Sequence, residues 1–531
     1  MSIIPLHPAR RRAAANGALA SAVPAPGDGD PPYPAVTPLR NPAEALRLLP
    51  PIAALLDWRQ PYLVPLVLLA LTRVILAWLL PMASEDAYIT YRYARNLALG
   101  FGPVFNPGER VMGFTSPLWM AWNALGWLIT RDPAMWSRMW TLLGDAVTLI
   151  VAASMLSHHV SRAAAWCFAF AFATWTAFTG VAISGMENSM MVTLIVLSAG
   201  LAETGSRGTG IALGALALLR PEGFAAALLI AMRARGRDRI VALAIAGVGI
   251  ALLWMYFGSP LPQSVTAKAQ IYGTPGPWAG RHWWEWAFPM ALGRWPLMPD
   301  TRFLYLGTVL AAPAAAVGLR VLWNIRTTGL AFAIYAAVGV WLGYALMGVA
   351  YFFWYLVVPI AGWFLLVAMG LPRIVRGRAV YVSAALLLLG CWTVVWELYG
   401  ARARAEQSFA QVAEHLIQNS TPWQKVMLEP IGVIGYRAKL KVIDEVGLVS
   451  PKVAARRMQG PGWMTDVIAA EKPEWLVIRR GVLLHLEAFA GAGAPFRNAG
   501  EREALLKGYG VSTIVADETG DAALVVLRRR G

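Results

Sequence analysis

Ser84-Glu85-Asp86-Ala87-Tyr88-Ile89-Thr90-Tyr91-Arg92-Tyr93-Ala94-Arg95-Asn96 stands directly after Tyr62–Leu80, a run whose apolar character is broken only by Thr72 and Arg73. That run is long enough, as a helix, to cross a bilayer core. The polar island continues through Gly100-Phe101-Gly102-Pro103-Val104-Phe105-Asn106-Pro107-Gly108-Glu109-Arg110 and leads into Phe114-Thr115-Ser116-Pro117-Leu118-Trp119. Two adjacent carboxylates at the mouth of a membrane helix are expensive to hold there and mark a functional site by default. They suit a base placed where a lipid-borne substrate meets an aqueous acceptor. A plainer reading makes Glu85 and Asp86 the N-terminal acids of a helix over Tyr88–Ala98 in a solvated loop. Capping accounts for one acid but not for the tyrosines and arginines behind the pair, so the functional reading is preferred.

Composition agrees on the class. Of 531 residues, 57% are hydrophobic and only 14% charged, with a mean hydropathy of +0.52, which excludes an ordinary soluble enzyme. The net charge of +16 raises the question of nucleic acid. However, the basic residues cluster between apolar runs, most clearly at Arg233–Arg239 and Arg373–Arg378. That is the signature of cytoplasmic loops, and no nucleic-acid partner is expected. Cys167 and Cys391 lie inside separate apolar runs and read as buried small hydrophobes, not as a disulfide or metal cluster. His158-His159 reads as a loop or helix end.

Residues 1–60 are rich in Ala, Pro, Gly and Arg without amphipathic period and read as a disordered cytoplasmic tail. Arg10-Arg11-Arg12 could open a signal peptide, but Ala13–Val23 is weakly apolar and interrupted by Asn16, Gly17 and Ser21, so a cleaved signal is not expected. Residues 61–397 form the membrane part. After Tyr62–Leu80, apolar runs cover Pro117–Ile129, Met135–Leu156, Ala163–Ile183, Met190–Leu201, Ile211–Leu219, Phe224–Met232, Ile240–Phe257, Phe303–Trp323, Gly329–Met347, Phe353–Leu371 and Ala379–Trp396. Roughly ten to twelve membrane passes follow from the length each needs. The two short runs around Arg220-Pro221-Glu222 read as a re-entrant pair. Counting outward from the basic loops places residues 82–116, 258–300 and 398–531 on the extracytoplasmic side. In the last segment Lys425–Glu429, Lys441–Asp444, Trp475–Ile478, Thr513–Ala516 and Leu524–Leu527 read as short strands, with a helix at Glu406–Gln418, hence a soluble α/β domain.

The stretch Glu85–Ala94 followed by Val104-Phe105-Asn106-Pro107-Gly108-Glu109 resembles the first extracytoplasmic loop of GT-C-type membrane glycosyltransferases, and within them the mycobacterial terminal arabinofuranosyltransferase family. Further matches lie in order: Ser184-Gly185-Met186-Glu187, Leu219-Arg220-Pro221-Glu222-Gly223, Tyr256–Ser264 ending in Ala267-Lys268, then Ile431-Gly432-Val433-Ile434-Gly435-Tyr436 and Val442-Ile443-Asp444-Glu445-Val446-Gly447-Leu448. The resemblance covers residues 60–450. It implies a GT-C-like polytopic α-helical membrane protein of the bacterial inner (plasma) membrane, with its active site outside the cytoplasm. It also implies an inverting transfer of a sugar, arabinofuranose in the nearest group, from a polyprenyl-phosphate donor to a glycan, lipid or protein acceptor. The family usually carries two aspartates where this chain has Glu85-Asp86, which leaves open which carboxylate works.

Such a reaction needs a base for the acceptor hydroxyl, cations for the leaving phosphate and an apolar groove for the prenyl chain. Asp86 is read as the base, with Glu85 orienting the acceptor or binding a cation. Arg92 and Arg95 fall on the Glu85 face of a local helix, and their planar forks suit phosphate, although headgroup contact is an alternative. Lys268 closes the Pro-rich loop and is the next phosphate ligand, with snorkelling its alternative. Tyr88 and Glu187 are read as supporting residues. For Arg220 and Glu222, mutual pairing that stabilises a kinked helix is preferred to substrate contact. His282, beside Trp283-Trp284-Glu285-Trp286, could face sugar, though an interfacial aromatic belt also explains the cluster. No ligand cluster is visible beyond the two acids, so a divalent cation stays open. Two rival readings are a transporter or flippase of lipid-linked sugar, against which stand the lack of an internal repeat and the loop position of the acids, and an O-antigen ligase or polymerase, whose centre should be basic.

Overall fold

Thr72 and Arg73, the two residues that interrupt the first apolar run, explain a feature about a hundred residues downstream. The computed structural model describes residues 46–271, 302–347, 352–375, 377, 405–484, 493–515 and 523–531. After a short helix α1 (Ile52–Leu56), α2 (Leu63–Leu79) carries both residues into the bundle. The expected single crossing Ala163–Ile183 is instead two helices, α6 (Arg162–Thr174) and α7 (Thr176–Ile183), broken at Trp175, whose backbone is extended. A helix end inside a membrane strands carbonyls that water cannot reach. Thr72 Oγ1 donates to the carbonyl of Ala173 at 2.8 Å, and Arg73 donates to Phe172 at 3.1 Å and Ala173 at 2.5 Å. Arg73 is itself paired with Asp145 of α5 (Pro133–His159) at 2.8 Å.

Between these lie α3 (Glu85–Ala98) and α4 (Pro117–Thr130). Proline opens α4 and α5, where its missing N–H costs nothing, and Asp132 caps α5 by accepting from Ala134 and Met135 at 3.0 Å. His158 and His159 lie in the last turn of α5, His159 standing 2.8 Å from Glu203. There follow α8 (Asn188–Thr204), α9 (Thr209–Leu219), α10 (Pro221–Ala231), α11 (Gly236–Phe257), α12 (Gln263–Ile271), α13 (Arg302–Asn324), α14 (Gly329–Met347) and α15 (Val357–Ile374). Pro133–His159, Gly236–Phe257, Gly329–Met347 and Trp354–Ile374 are long and apolar enough to cross a membrane, and five shorter apolar helices accompany them. The chain is a polytopic α-helical membrane protein. Along α11 only Asp238 and Ala246 are buried, and Ile240, Leu243, Val248, Leu252, Trp254 and Met255 are exposed. Residues 46–60, expected as part of a disordered tail, are folded: Leu46, Leu48 and Leu55 pack on the membrane core. The expected run Ala379–Trp396 and His282 lie outside the described residues.

The soluble part opens with α16 (residues 405–419). It continues as β1 (Lys425–Leu428), α17 (Ile431–Ala438), β2 (Lys441–Asp444), α18 (Pro451–Arg457), α19 (Trp463–Glu471), β3 (Trp475–Arg479), α20 (Arg480–Leu484), α21 (Ala499–Gly508), β4 (Tyr509–Val515) and β5 (Leu524–Arg529). The sheet order is β2-β1-β3-β5-β4; β1 runs parallel to β2 and β3, and β5 antiparallel to β3 and β4. All five expected strands form. β4 begins at Tyr509, ahead of the expected Thr513, and pairs with β5 from there on, Tyr509 opposite Arg529.

One apolar cluster joins the two parts. Ile89 and Tyr93 of α3, with Phe105 and Phe114 of the following loop, pack with Val426, Leu428, Ile431, Ile434, Val442 and Trp475 of the soluble part. The α/β part therefore shares its core with α3 and the loop that follows it.

Candidate active site

Glu85 and Asp86 form the first turn of α3, behind the N-cap Ser84. Ser84 N–H donates to the carbonyl of Ser184 at 2.8 Å, tying the turn to the membrane core ahead of α8. Arg138 gathers the carbonyls of Leu80 and Met82 at 2.8 and 2.7 Å and of Ile183 at 2.9 Å, which α2 and α7 leave open at their ends. The site is thus anchored by backbone contacts from three helices.

The charged face of α3 grips α17. The Glu85 carboxylate accepts the backbone N–H groups of Gly432 and of Val433, the latter at 2.6 Å. Arg92 donates to the carbonyls of Phe105 (2.8 Å), Gly435 (2.6 Å) and Leu440 (2.7 Å) and to Asn106 Oδ1 (3.2 Å). Arg95 donates to the Tyr436 carbonyl at 2.6 Å and lies 4.5 Å from that ring's centroid. An acid therefore meets the N-terminus of α17 and two bases meet its later carbonyls, the arrangement its dipole favours. The N-terminus of the helix after a first parallel strand is a ready anion site; here Glu85 fills it. Close approach requires glycine: a Cβ on Gly432 would stand 1.9 Å from the Glu85 carbonyl oxygen. Burial pushes Glu85 up to about 8, against the lowering effect of its two backbone donors.

These contacts correct the expected role of Arg92. It shares the Glu85 face as expected, but with 2% of its surface exposed and its fork spent on protein oxygens, it has no reach toward a phosphate. Arg95 is likewise turned to α17. Tyr88 stacks edge-on against Tyr91 and tilts against Tyr436, at 5.4 and 5.5 Å, and so belongs to the same junction. Tyr91 is held by Ser137 at 3.0 Å.

Asp86 faces the other way. Its carboxylate makes no hydrogen bond or ion pair among the described residues, yet lies in the fields of Lys268, Glu429, Glu187 and Arg220. Burial holds it above the ordinary carboxylate range; Lys268 is the main counterweight, Glu429 and Glu187 add to the rise, and Arg220 opposes it. Burial depresses Lys268, but Tyr355 and Asp86 outweigh that and hold it above the ordinary lysine value. Its ammonium lies 5.1 Å from the Phe352 ring centroid. Asp86 and Lys268 lie in one another's field but make no hydrogen bond or ion pair with each other among the described residues.

Arg220 sits at the extended junction of α9 and α10 and pairs with both Glu187 and Glu222. The expected Arg220–Glu222 pairing forms, with Glu187 as third member. Tyr344 donates to Glu222, Tyr355 stacks on Tyr344 at 5.2 Å, and the Arg220 guanidinium lies 5.4 Å from the Tyr355 ring centroid. Tyr344, Tyr355 and Glu429 were not singled out from sequence. The tyrosines are camouflaged in apolar runs, whereas an acid just after a buried strand was a readable signal for Glu429. Among the described residues, no group of three or more His, Cys, Asp or Glu is placed to hold a metal ion.

Comparison with known proteins bears on this arrangement. The family described as Domain of unknown function (DUF8728) matches residues 396–522. Over 82 residues the chain is 43% identical to the terminal beta-(1->2)-arabinofuranosyltransferase of Corynebacterium glutamicum; this covers 14% of the chain and only 12% of that relative's length. The fold is similar to that of ArnT from Cupriavidus metallidurans bound to undecaprenyl phosphate, with a TM-score of 0.58 at 12% identity, over 87% of this chain and 97% of that one. Against the apo form of ArnT the TM-score is 0.54 at 14% identity, over 84% and 93%. The architecture, a membrane bundle of apolar helices with a C-terminal α/β domain, is GT-C-like.

Proposed function

We propose that the chain is a membrane glycosyltransferase that moves a sugar from a polyprenyl-phosphate carrier to a hydroxyl of a cell-envelope acceptor, on the extracytoplasmic face of a bacterial inner membrane. The observation that carries this reading is the Asp86 carboxylate, left without a hydrogen bond or ion pair among the described residues and lying in the field of Lys268. Asp86 takes the proton of the acceptor hydroxyl as its oxygen attacks the anomeric carbon. The bond from that carbon to the phosphate oxygen breaks on the opposite face, so the configuration inverts. The leaving phosphate needs charge stabilisation more than protonation, and Lys268 supplies it. Lys268 thus takes the role first expected of Arg92. Glu85 serves as the clamp that seats the soluble domain on the membrane bundle.

The likeness to a structure holding undecaprenyl phosphate supports the donor class. The identity with an arabinofuranosyltransferase of Corynebacterium glutamicum supports arabinofuranose as the sugar. The test is transfer in vitro by the purified chain from synthetic polyprenyl-phosphate sugars, with no nucleotide sugar supplied. A new glycoside supports the reading. Translocation of labelled donor across vesicles with no glycoside formed favours the flippase reading instead.

A further inference from the structure

A buried acid that this chemistry does not use ends β2. The two residues after Ile443 behave differently. Asp444 is consumed by its own turn: Oδ1 accepts from Val446 N–H at 2.8 Å and Oδ2 from Val449 N–H at 3.0 Å. Glu445 is 8% exposed, and its Oε1 is buried with no hydrogen-bond partner among the described residues. A buried carboxylate oxygen without a donor is costly, and native proteins seldom keep one without a use.

Its position points to the use. Leu428 and Asp444 are register partners in parallel strands, and Glu445 N–H donates to the Leu428 carbonyl at 3.1 Å, so Glu429 and Glu445 leave the sheet side by side. Arg479, at the end of β3, holds Glu429 at 2.7 and 2.9 Å. Glu429 in turn lies within Coulombic reach of both Glu445 and Asp86. The turn that Glu445 opens also touches the helix of Lys268: Gln263 of α12 donates to the Gly447 carbonyl at 3.3 Å. The ends of β1, β2 and β3 therefore come together at Glu429, near Asp86 and the helix of Lys268, at the edge where parallel α/β sheets bind ligands. Burial and the neighbouring Glu429 push Glu445 up to about 8; a hydroxyl that donates to its carboxylate favours the charged form and draws that value down.

We propose that Glu445, with Glu429 beside it, forms a subsite for a saccharide acceptor: Glu445 Oε1 accepts from one hydroxyl of the acceptor sugar, which turns a second hydroxyl toward Asp86. This selects a polyhydroxylated glycan over a lipid or protein acceptor, and it rests on the glycosyl-transfer reading above. Glu445 is a specificity residue here; the proton goes to Asp86.

The test uses the purified full chain, with donor and acceptor kinetics measured separately and saccharide binding followed by saturation-transfer NMR without donor. Glu445→Met removes both oxygens at similar length; it is expected to raise the acceptor KM by ~10- to 100-fold while the donor KM stays put, and to abolish the NMR signal without a lower melting temperature. Glu445→Gln keeps one acceptor oxygen and is expected to retain part of the binding, with an acceptor KM between those of wild type and Glu445→Met. Acceptor KM and saccharide signal unchanged in both variants, or a loss of binding that only follows a lower melting temperature, overturns the subsite. If the wild-type chain binds saccharide through Glu445 but transfers nothing, the subsite stands and the transferase reading falls.

Discussion

Glu85 and Asp86 are neighbours in sequence but serve opposite sides of one junction: Glu85 accepts the N–H groups of Gly432 and Val433, while Asp86 lies unbonded in the field of Lys268. The longer side chain is the one that reaches across to α17, and the proposed mechanism gives the proton transfer to the other acid.

Glu85→Gln should therefore act on docking. The amide keeps one acceptor but sets an N–H donor against a backbone N–H, at a cost of about 1 to 3 kcal/mol. We expect faster proteolysis of the soluble domain and reduced but measurable turnover. A dead Glu85→Gln enzyme beside an active Asp86→Asn enzyme would exchange the two roles.

Arg92→Gln with Arg95→Gln should loosen the same junction. Both guanidinium groups bond protein carbonyls, so the double variant is expected to lower the melting temperature and the rate equally for short-chain and long-chain donors. A selective loss on short-chain donors would return phosphate binding to these arginines.

Gly432→Ala is the smallest change that attacks the junction from the other side. The added methyl has nowhere to go, since the Glu85 carbonyl oxygen would lie 1.9 Å from it. Overpacking of this kind costs about 1 to 3 kcal/mol. A melting temperature equal to wild type in detergent would show that α3 and α17 do not meet this closely.

How far the sequence could be read follows the range of the forces involved. α3, the strands and the apolar runs were legible because periodicity and composition are local. The break at Trp175 was not, because it depends on Thr72 and Arg73 meeting carbonyls about a hundred residues away. Arg92 was placed correctly on the Glu85 face but given the wrong partner: phosphate and backbone carbonyls are both oxygen acceptors, and an arginine in sequence does not say which it will meet. Asp86 was legible as an acid in an unusual place. Tyr344 and Tyr355 were not, since aromatic residues in an apolar run look like core.

The rate against pH should report the neighbours of Asp86. A base works in its deprotonated form, so burial, which raises its pKa, puts the acid limb above the ordinary carboxylate range. Lys268 lowers that pKa and Glu429 raises it. Lys268→Met should therefore move the acid limb of the residual rate to higher pH, and Glu429→Gln should move it to lower pH. Limbs that stay in place in both variants would take Asp86 out of the rate-limiting proton transfer.

The central claim is sugar transfer from a polyprenyl-phosphate donor with Asp86 as base. Its most direct test is the formation of a glycoside product by wild type and Asp86→Asn, each purified and supplied with synthetic polyprenyl-phosphate arabinofuranose and a glycan acceptor. We predict an inverted glycoside from wild type and a rate ~100- to 10,000-fold lower for Asp86→Asn, with expression and melting temperature unchanged. Near-normal product formation by Asp86→Asn would contradict the account.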